Sequence, residues 1–204
     1  MTILGDSGEY EFLAEAVRLS ANIDAPTVEI GVRMGLGSKT MMDAIVEFCP
    51  GKTHIGIDPY GNILYEMKET VEPCRLDYTN DMYKQCMADL FGYIIGKPVE
   101  FVHFKMTDER FMDLFHHSID VYDLEEKPIL EYSAVHFDGP HTAKSVLEEV
   151  YFFDTRTPSG ATFVFDDIGV DDFFYTHSRV HDWLLKNGWE CLKTGVKKAL
   201  YQKK

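Results

Sequence analysis

The stretch TVEIGVRMGLGS, residues 27–38, joins a short β-branched run to a glycine-rich turn. TVEIGV is typical of a strand that ends at Gly31, and MGLGSKTMMDAIVEFC, residues 34–49, is typical of a turn that enters a helix. Glycines at 31, 35 and 37 permit a tight turn and a close approach of a ligand to the backbone. Their G-x-x-x-G-x-G spacing differs from the G-x-G-x-x-G of dinucleotide-binding enzymes, and a plain strand-to-helix connection is an alternative interpretation.

Strands and helices alternate outward from this stretch. Further strands are predicted in THIGIDPYG (53–61), VEFVHFKM (99–106), YSAVHFD (132–138) and ATFVFDD (161–167). Helices are predicted at about 8–21, 79–95, 107–118 and 177–187, and in TAKSVLEEVYFF after the fourth strand. GWECLKTGVKKALYQ, residues 188–202, reads as two short strands with a turn at Gly195. This alternation predicts an α/β fold whose sheet is mostly parallel, with helices on both faces.

The chain is predicted to be one domain, residues 1–204, with a polar insertion at about 60–97. The insertion is long enough to be an active-site lid, and a dimer contact is an equally fair interpretation. At the N-terminus, Asp6 or Ser7 is predicted to cap the first helix, with Glu9 placed for a capping box.

The composition limits the classes of partner. Lys and Arg number 20 against 34 Asp and Glu, which gives a net charge of −14. Such a surface repels nucleic acid and anionic lipid, and it suits cationic ligands and metal ions held by carboxylates. The four cysteines lack paired spacing, and we see neither a signal peptide nor an apolar run near the roughly 20 residues of a membrane span. The expected location is the cytoplasm, and the expected partner is a small molecule.

The carboxyl ends of the predicted strands carry most of the candidate functional residues. Ligands of parallel α/β sheets bind at this edge, so one crevice is expected to contain Gly31, Asp58, Met106, Asp138 and Asp166. Asp58 is placed to accept hydrogen bonds from the two hydroxyls of a ribose. A turn-forming Asp before Pro59 is the alternative interpretation of that residue.

The order of an acid, a glycine turn, an acid at the end of the second strand and a terminal hairpin resembles class I S-adenosylmethionine-dependent methyltransferases. The resemblance covers the chain from about residue 26 to the end, apart from the insertion. It implies that the methionine moiety lies near Glu29 and Gly31, and that Gly35 and Gly37 shape the loop beneath it. It also implies that Asp58 holds the ribose and, by position only, that Met106 and Thr107 lie near the adenine.

A narrower resemblance lies in VHFDGPHTAKSVLEEV, residues 135–150, and GATFVFDDIG, residues 160–169. These segments are similar to the metal-dependent sugar O-methyltransferases of macrolide and aminocoumarin pathways. That likeness implies a magnesium ion bound by Asp138, Asp166 and Asp167. It also implies His141 as the general base, with Asp138 beside it in the catalytic site.

The chemistry of these residues agrees with a metal site. Three convergent carboxylates repel one another unless a cation lies between them, and all-oxygen ligation favours Mg²⁺. Asp166 and Asp167 would point to opposite faces of a regular strand, so both reach one ion only if the strand has ended. Helix capping in a solvated loop is the alternative. A hydroxyl bound to Mg²⁺ loses its proton more readily, and His141 could accept that proton.

The sequence therefore predicts an O-methyltransferase that uses S-adenosylmethionine, with Mg²⁺, to methylate a hydroxyl of a small, sugar-like molecule. One alternative is an enzyme of the same fold without a metal, in which the acids contact the substrate directly. Another is a non-catalytic S-adenosylmethionine-binding protein. A nicotinamide oxidoreductase fits less well because of the glycine spacing and the terminal hairpin. A homo-oligomer is possible in each case.

Overall fold

The computed structural model of the chain describes residues 3–5, 7–65, 74–75, 78–122, 128–140, 142–168 and 174–204. Six helices lie within these ranges: α1 (Glu11–Leu19), α2 (Leu36–Phe48), α3 (Asn80–Ile94), α4 (Asp108–Leu114), α5 (Ala143–Asp154) and α6 (Phe174–Lys186). The strands of the main sheet are β1 (Thr27–Ile30), β2 (Thr53–Ile57), β5 (Glu100–Phe104), β8 (Ala134–Phe137), β9 (Thr162–Phe165), β10 (Trp189–Thr194) and β11 (Ala199–Lys203). Two small ribbons are formed by β3 (Leu64–Tyr65) with β4 (Cys74–Arg75), and by β6 (Ile119–Tyr122) with β7 (Pro128–Ile129).

The main sheet has seven strands in the order β10-β11-β9-β8-β1-β2-β5. The five strands from β9 to β5 run parallel, and β11 pairs antiparallel with both β9 and β10. This confirms the predicted α/β sheet and its antiparallel terminal hairpin. The order reverses between β1 and β8, which places a crevice at their carboxyl ends.

Apolar side chains cover both faces of the sheet, which is why its central strands are rich in apolar residues. Every residue of β1, β2, β8 and β9 is buried. On one face, Phe137 stacks on Phe165 with ring centroids 4.5 Å apart. On the other face, α1 and α2 pack against the sheet through residues such as Leu13 and Met42, both fully buried. The strands are therefore held by packing on both faces of the sheet.

The start of the first helix differs from the prediction. Helix α1 begins at Glu11, its N-cap residue is Tyr10, and no side chain caps it. The predicted capping box is therefore wrong. The carboxylate of Glu9 instead accepts hydrogen bonds from the backbone N–H groups of Val196, Lys197 and Lys198, at 2.7, 2.8 and 2.8 Å. Three backbone donors outweigh one capping contact, so Glu9 ties the N-terminal segment to the terminal hairpin.

The described part of the insertion contains β3, β4 and α3, which lies close to the predicted helix at 79–95. Thr79 caps α3 by accepting a hydrogen bond from the backbone N–H of Met82 at 3.1 Å. The role of the insertion as a lid or dimer contact stays a prediction. Among the described helices, none combines the length and apolar character needed to cross a bilayer.

Candidate active site

A cavity of about 310 Å³ opens at the carboxyl ends of β1, β2 and β8. Its walls include Gly31, Asp58 and Asp138, three of the residues predicted at one crevice, and Glu29, which the family resemblance implies near the methionine moiety. Its volume lies within the range of small-molecule sites. Among the described lining residues six are acidic and one, Arg33, is basic, so the cavity suits a cationic ligand.

Two glycines allow neighbouring groups to pack closely against the backbone around this cavity. Gly31 has φ +87°, and a Cβ on it would lie 2.0 Å from the carbonyl oxygen of Asp138. A Cβ on Gly37 would lie 1.9 Å from Oε1 of Glu29. No larger residue fits either position without a shift of the backbone or of the carboxylate. The glycine turn therefore serves the placement of Glu29 as well as the approach of a ligand.

Glu29 is a buried carboxylate held from two sides. Its Oε1 lies 3.0 Å from Nδ1 of His136, and its Oε2 accepts a short hydrogen bond from the hydroxyl of Ser38. All three side chains are almost completely buried. Burial and the nearby ammonium of Lys198 lower the pKa of His136, although Glu29 acts in the opposite direction. The carboxylate is thus fixed at the cavity wall where the sequence resemblance places the methionine moiety.

Asp58 organises the glycine turn directly. Its Oδ2 accepts hydrogen bonds from the backbone N–H groups of Val32 and Arg33, at 3.0 and 2.9 Å, and its Oδ1 accepts one from Tyr60 at 3.0 Å. Burial raises the pKa of Asp58 to about 6, against these stabilising hydrogen bonds. A carboxylate has about four acceptor positions, so roughly one remains for a ligand hydroxyl. Asp58 is therefore a turn-forming acid and a cavity residue at once.

The cavity also reaches the start of α4. Thr107 lines the wall and caps α4, accepting a hydrogen bond from the backbone N–H of Arg110 at 3.2 Å. Asp108 and Glu109 line the same wall. Met106, by contrast, packs against the hydrophobic core and does not line the cavity. Of the two residues predicted near the adenine, the described wall therefore contains Thr107 alone.

The three predicted metal ligands separate into two environments. Asp138 and Asp167 line the cavity, whereas Asp166 lies outside its described wall with a side chain 2% exposed. Asp167 has φ +56°, so the strand has ended and the two neighbouring acids diverge. Nζ of Lys197 lies 3.9 Å from Oδ1 of Asp167, at the protein surface.

A different set of side chains converges below the cavity. One ligand atom each from His136, Asp138 and Asp166 lies within 4.8 Å of the others, and Asp167 does not belong to this cluster. Nζ of Lys198 lies 2.8 Å from Oδ2 of Asp166 and 3.5 Å from Nε2 of His136. The other carboxylate oxygen of Asp166, Oδ1, accepts a hydrogen bond from the backbone N–H of Asp167 at 2.9 Å.

This arrangement does not fit Mg²⁺ as it stands. Mg²⁺ requires near-octahedral oxygen ligation, and the cluster offers an imidazole nitrogen and an Asp166 carboxylate that already contacts an ammonium. An ion bound to Asp166 would lie beside the charge of Lys198 in a buried site, where like charges repel strongly. The magnesium site of Asp138, Asp166 and Asp167 stays a prediction from the sequence.

The charges of this cluster set its acid–base properties. Burial and the neighbouring charge of Asp166 raise the pKa of Asp138 well above its ordinary value, and Lys198 acts in the opposite direction. Burial also opposes ionisation of Asp166, but Lys198 and His136 hold the pKa of Asp166 below its ordinary value. Of the two carboxylates, Asp138 is thus the more basic. His141, the predicted general base, lies outside the described residues.

Several residues of this site were missed from the sequence. Asp108 and Glu109 open a helix after a strand end, a position that could have indicated wall residues. Lys198 directly precedes β11, whose first three residues are buried, and a lysine next to such a run could have suggested a buried charge. His136 lies inside an apolar run opposite Glu29, and no local signal reveals its partner, because strand register is not visible in one sequence.

Comparison with known proteins supports the fold. No protein-family model matches the chain, and no curated protein matches it. An O-methyltransferase from Bacillus cereus, in complex with SAH, superposes with a TM-score of 0.63 at 8% identity, covering 100% of this chain and 84% of that one. CalS11, a calicheamicin methyltransferase, gives 0.58 at 15% identity, covering 95% and 78%. The SAH-bound methyltransferase PaMTH1 from Podospora anserina gives 0.60 at 8% identity, covering 98% and 80%.

At these identities the likeness establishes the fold and nothing finer. The superposition covers most of this chain, including its seven-stranded sheet with the antiparallel β11. The chain has the class I methyltransferase fold, as its glycine turn and terminal hairpin predict.

Proposed function

We propose that this protein transfers a methyl group from S-adenosylmethionine to a hydroxyl oxygen of a small, sugar-like molecule. The observation that carries the proposal is the cavity at the reversal of a methyltransferase-fold sheet, walled by Glu29, Gly31, Asp58 and Asp138. These residues come from three separate strand ends and a glycine turn, and they converge on one space.

The charge of the wall supports this cofactor over a dinucleotide. The sulfonium and amino groups of S-adenosylmethionine are cationic, and the buried carboxylate of Glu29 lies at the wall beside the glycine turn. A dinucleotide would bring its anionic pyrophosphate against the same acids. The glycine turn begins with Gly31, which packs closely against the backbone of Asp138. The described residues therefore suit a cationic ligand.

The acceptor is proposed from Asp138 and from one structural neighbour. CalS11 is named as a TDP-rhamnose 3'-O-methyltransferase, and its fold resembles this one. Asp138 lines the cavity, and its carboxylate, when ionised, can accept a proton from a sugar hydroxyl. A hydroxyl acceptor needs such a base, because a neutral alcohol is a weak nucleophile.

The proposed step is an in-line displacement. When bound, the cofactor supplies an electrophilic methyl group, and its sulfur–carbon bond breaks as the acceptor oxygen bonds to that carbon. Asp138 accepts the hydroxyl proton, and the strand ends hold the reacting groups in line. Such alignment can lower a barrier by roughly 7–11 kcal/mol in favourable cases. His141 as the base, with Asp138 beside it, stays a prediction from the sequence.

Assistance by Mg²⁺, which the sequence predicts, has little support from the described residues. The contact between Lys198 and Asp166 favours the alternative in which the same fold methylates without a metal. The proposed step therefore uses only the side chains of this protein.

The proposal is tested by calorimetry and by transfer of a labelled methyl group. We expect S-adenosylmethionine to bind to the full chain and NAD to bind more weakly or not at all. Labelled methyl transfer is then measured on free sugars, nucleotide sugars and phenols, each with Mg²⁺ and with EDTA. Absence of affinity for S-adenosylmethionine would overturn the proposal. Affinity without transfer to any of these acceptors would favour a non-catalytic binding protein.

A further inference from the structure

The buried cluster below the cavity combines acids that cannot all remain ionised without a cation. Glu29, Asp138 and Asp166 converge around His136, and at low dielectric their charges repel one another over several ångströms. A bound metal ion, a basic side chain or a proton on one of the acids can relieve this repulsion. The described structure contains the second.

The ammonium of Lys198 lies among the atoms that a metal ion would use. It contacts Oδ2 of Asp166 at 2.8 Å and Nε2 of His136 at 3.5 Å, and its side chain is 0% exposed. It also lies 3.3 Å from the hydroxyl oxygen of Ser7. Since Nδ1 of His136 faces Glu29, its Nε2 is available to accept from this ammonium. The three contacts match the three donors of a lysine side chain.

The backbone is built to bring Lys198 to this position. Glu9 accepts hydrogen bonds from the three successive N–H groups of residues 196–198. A Cβ on Gly195 would lie 2.3 Å from Oε2 of Glu9, so only glycine leaves room for this contact. Strand β11 follows at once and pairs with β9, which ends beside Asp166. The lysine is therefore fixed from both sides along the chain.

From this geometry we infer that Lys198 is the resident cation of the cluster, in place of a divalent metal ion. It acts as a positioning residue, because it holds Asp166 and His136 and does not line the cavity. Its consequence for catalysis rests on the proposed function: methyl transfer requires no divalent ion while Lys198 is present. Its consequence for metal binding does not depend on that function.

Metal binding by the full chain provides the first test. Mn²⁺ is the probe, and the free ion is measured by electron paramagnetic resonance. We expect the wild-type protein to leave Mn²⁺ unbound at this cluster. Lys198→Met, which removes the charge but keeps much of the side-chain length, is expected to bind Mn²⁺ at least about 10-fold more tightly. Lys197→Met, which removes a neighbouring surface lysine, is the matched control and should behave as wild type.

Binding of Mn²⁺ by the wild-type protein would contradict the inference. If the wild-type protein binds one Mn²⁺ and Asp166→Asn abolishes that binding, a metal ion and not Lys198 is the cation of the cluster. This comparison decides the inference even if Lys198→Met fails to fold. Lys198→Arg, which keeps the charge, should then fold and leave Mn²⁺ unbound.

Failure of this inference and failure of the proposed function give different results. Calorimetry with S-adenosylmethionine tests the function, and Mn²⁺ resonance tests the cation. Where transfer occurs, the wild-type rate should be unchanged by EDTA. A rate that EDTA abolishes and Mg²⁺ restores would overturn the inference and leave the proposed methyl transfer intact.

Discussion

Oε1 of Glu29 lies 3.0 Å from Nδ1 of His136, and the two residues are direct register partners on the adjacent parallel strands β1 and β8. This contact joins the cavity wall beside the glycine turn to β8, which Asp138 directly follows. Because His136 also contacts Lys198, one continuous set of polar side chains runs from the glycine turn to the terminal hairpin. A substitution at the glycine turn should therefore have a measurable effect at the terminal hairpin, and a substitution at the hairpin should have one at the turn.

Removal of the Glu29 carboxylate should destabilise the protein. Glu29→Ala leaves the hydroxyl of Ser38 and Nδ1 of His136 buried without their acceptor. We expect the free energy of unfolding in urea to fall by about 2–4 kcal/mol, because each abandoned polar group costs about 1–3 kcal/mol. Glu29→Gln keeps an acceptor oxygen and should lose less. Equal losses for both variants would show that the hydrogen bonds do not stabilise the fold.

A methyl group at position 37 should displace the same carboxylate. The Cβ of Gly37→Ala would lie 1.9 Å from Oε1 of Glu29, so the carboxylate or the start of α2 must move. We expect a loss of about 1–3 kcal/mol in unfolding free energy, typical of overpacking, and weaker binding of S-adenosylmethionine by calorimetry. Gly8→Ala is the control, because a Cβ there meets nothing within 4 Å. If Gly37→Ala bound S-adenosylmethionine with wild-type affinity, Glu29 would not contribute to binding of the cofactor.

Binding of S-adenosylmethionine should depend on the ionisation of Asp58. Burial raises the pKa of Asp58 to about 6, so its carboxylate is mostly ionised at pH 7.5 and mostly protonated at pH 5. A protonated carboxyl accepts hydrogen bonds less well, and affinity measured by calorimetry should fall as the pH drops through 6. In Asp58→Asn this step should disappear. The same step in that variant would assign the titration to another group.

Stability should respond to Asp58 in the opposite direction. The folded state holds its proton with a pKa of about 6, above the roughly 3.9 of an unfolded Asp. The folded state therefore binds more protons between these values, and this group stabilises the fold increasingly as the pH falls from 7 to 4. Weaker cofactor binding at pH 5 is thus not explained by unfolding through Asp58.

The fold was predictable because its signals are local. Alternating apolar runs and glycine or proline turns predicted the strands of the sheet, and the turn at Gly195 predicted the terminal hairpin. The N-terminus of α1 was not predictable in this way. Glu9 finds its partners about 190 residues away in sequence, at 196–198, and no local pattern announces such a contact.

The site was predictable where strand ends alone define it. Gly31, Asp58 and Asp138 meet at the cavity because parallel strands end at one edge of the sheet. The partners of these residues depend on register and on the entry of a distant strand, which explains why His136 and Lys198 were missed. The expected convergence of Asp166 with Asp167 did not allow for the buried lysine that contacts Asp166.

Asp138 should matter for the rate and not for cofactor binding. Asp138→Asn keeps the side-chain shape at the cavity but removes the proton acceptor. We expect kcat on a hydroxyl acceptor to fall by about 10²–10⁴-fold, the usual contribution of general base catalysis. Affinity for S-adenosylmethionine, measured by calorimetry, should remain close to that of the wild type. A variant that retains full kcat would show that another group takes the proton.

Asp167→Asn is the matched comparison for Asp138→Asn, because Asp167 lines the same cavity and is one of the predicted magnesium ligands. If Asp138 acts as a base without a metal, Asp167→Asn should keep most of the wild-type kcat, and the loss in Asp138→Asn should not depend on Mg²⁺. If Mg²⁺ is bound by the predicted ligands, kcat should fall in both variants. Added Mg²⁺ should then partly restore the kcat of the variant that binds Mg²⁺ more weakly. The ratio of the two kcat values at low and high Mg²⁺ therefore separates the two mechanisms in one experiment.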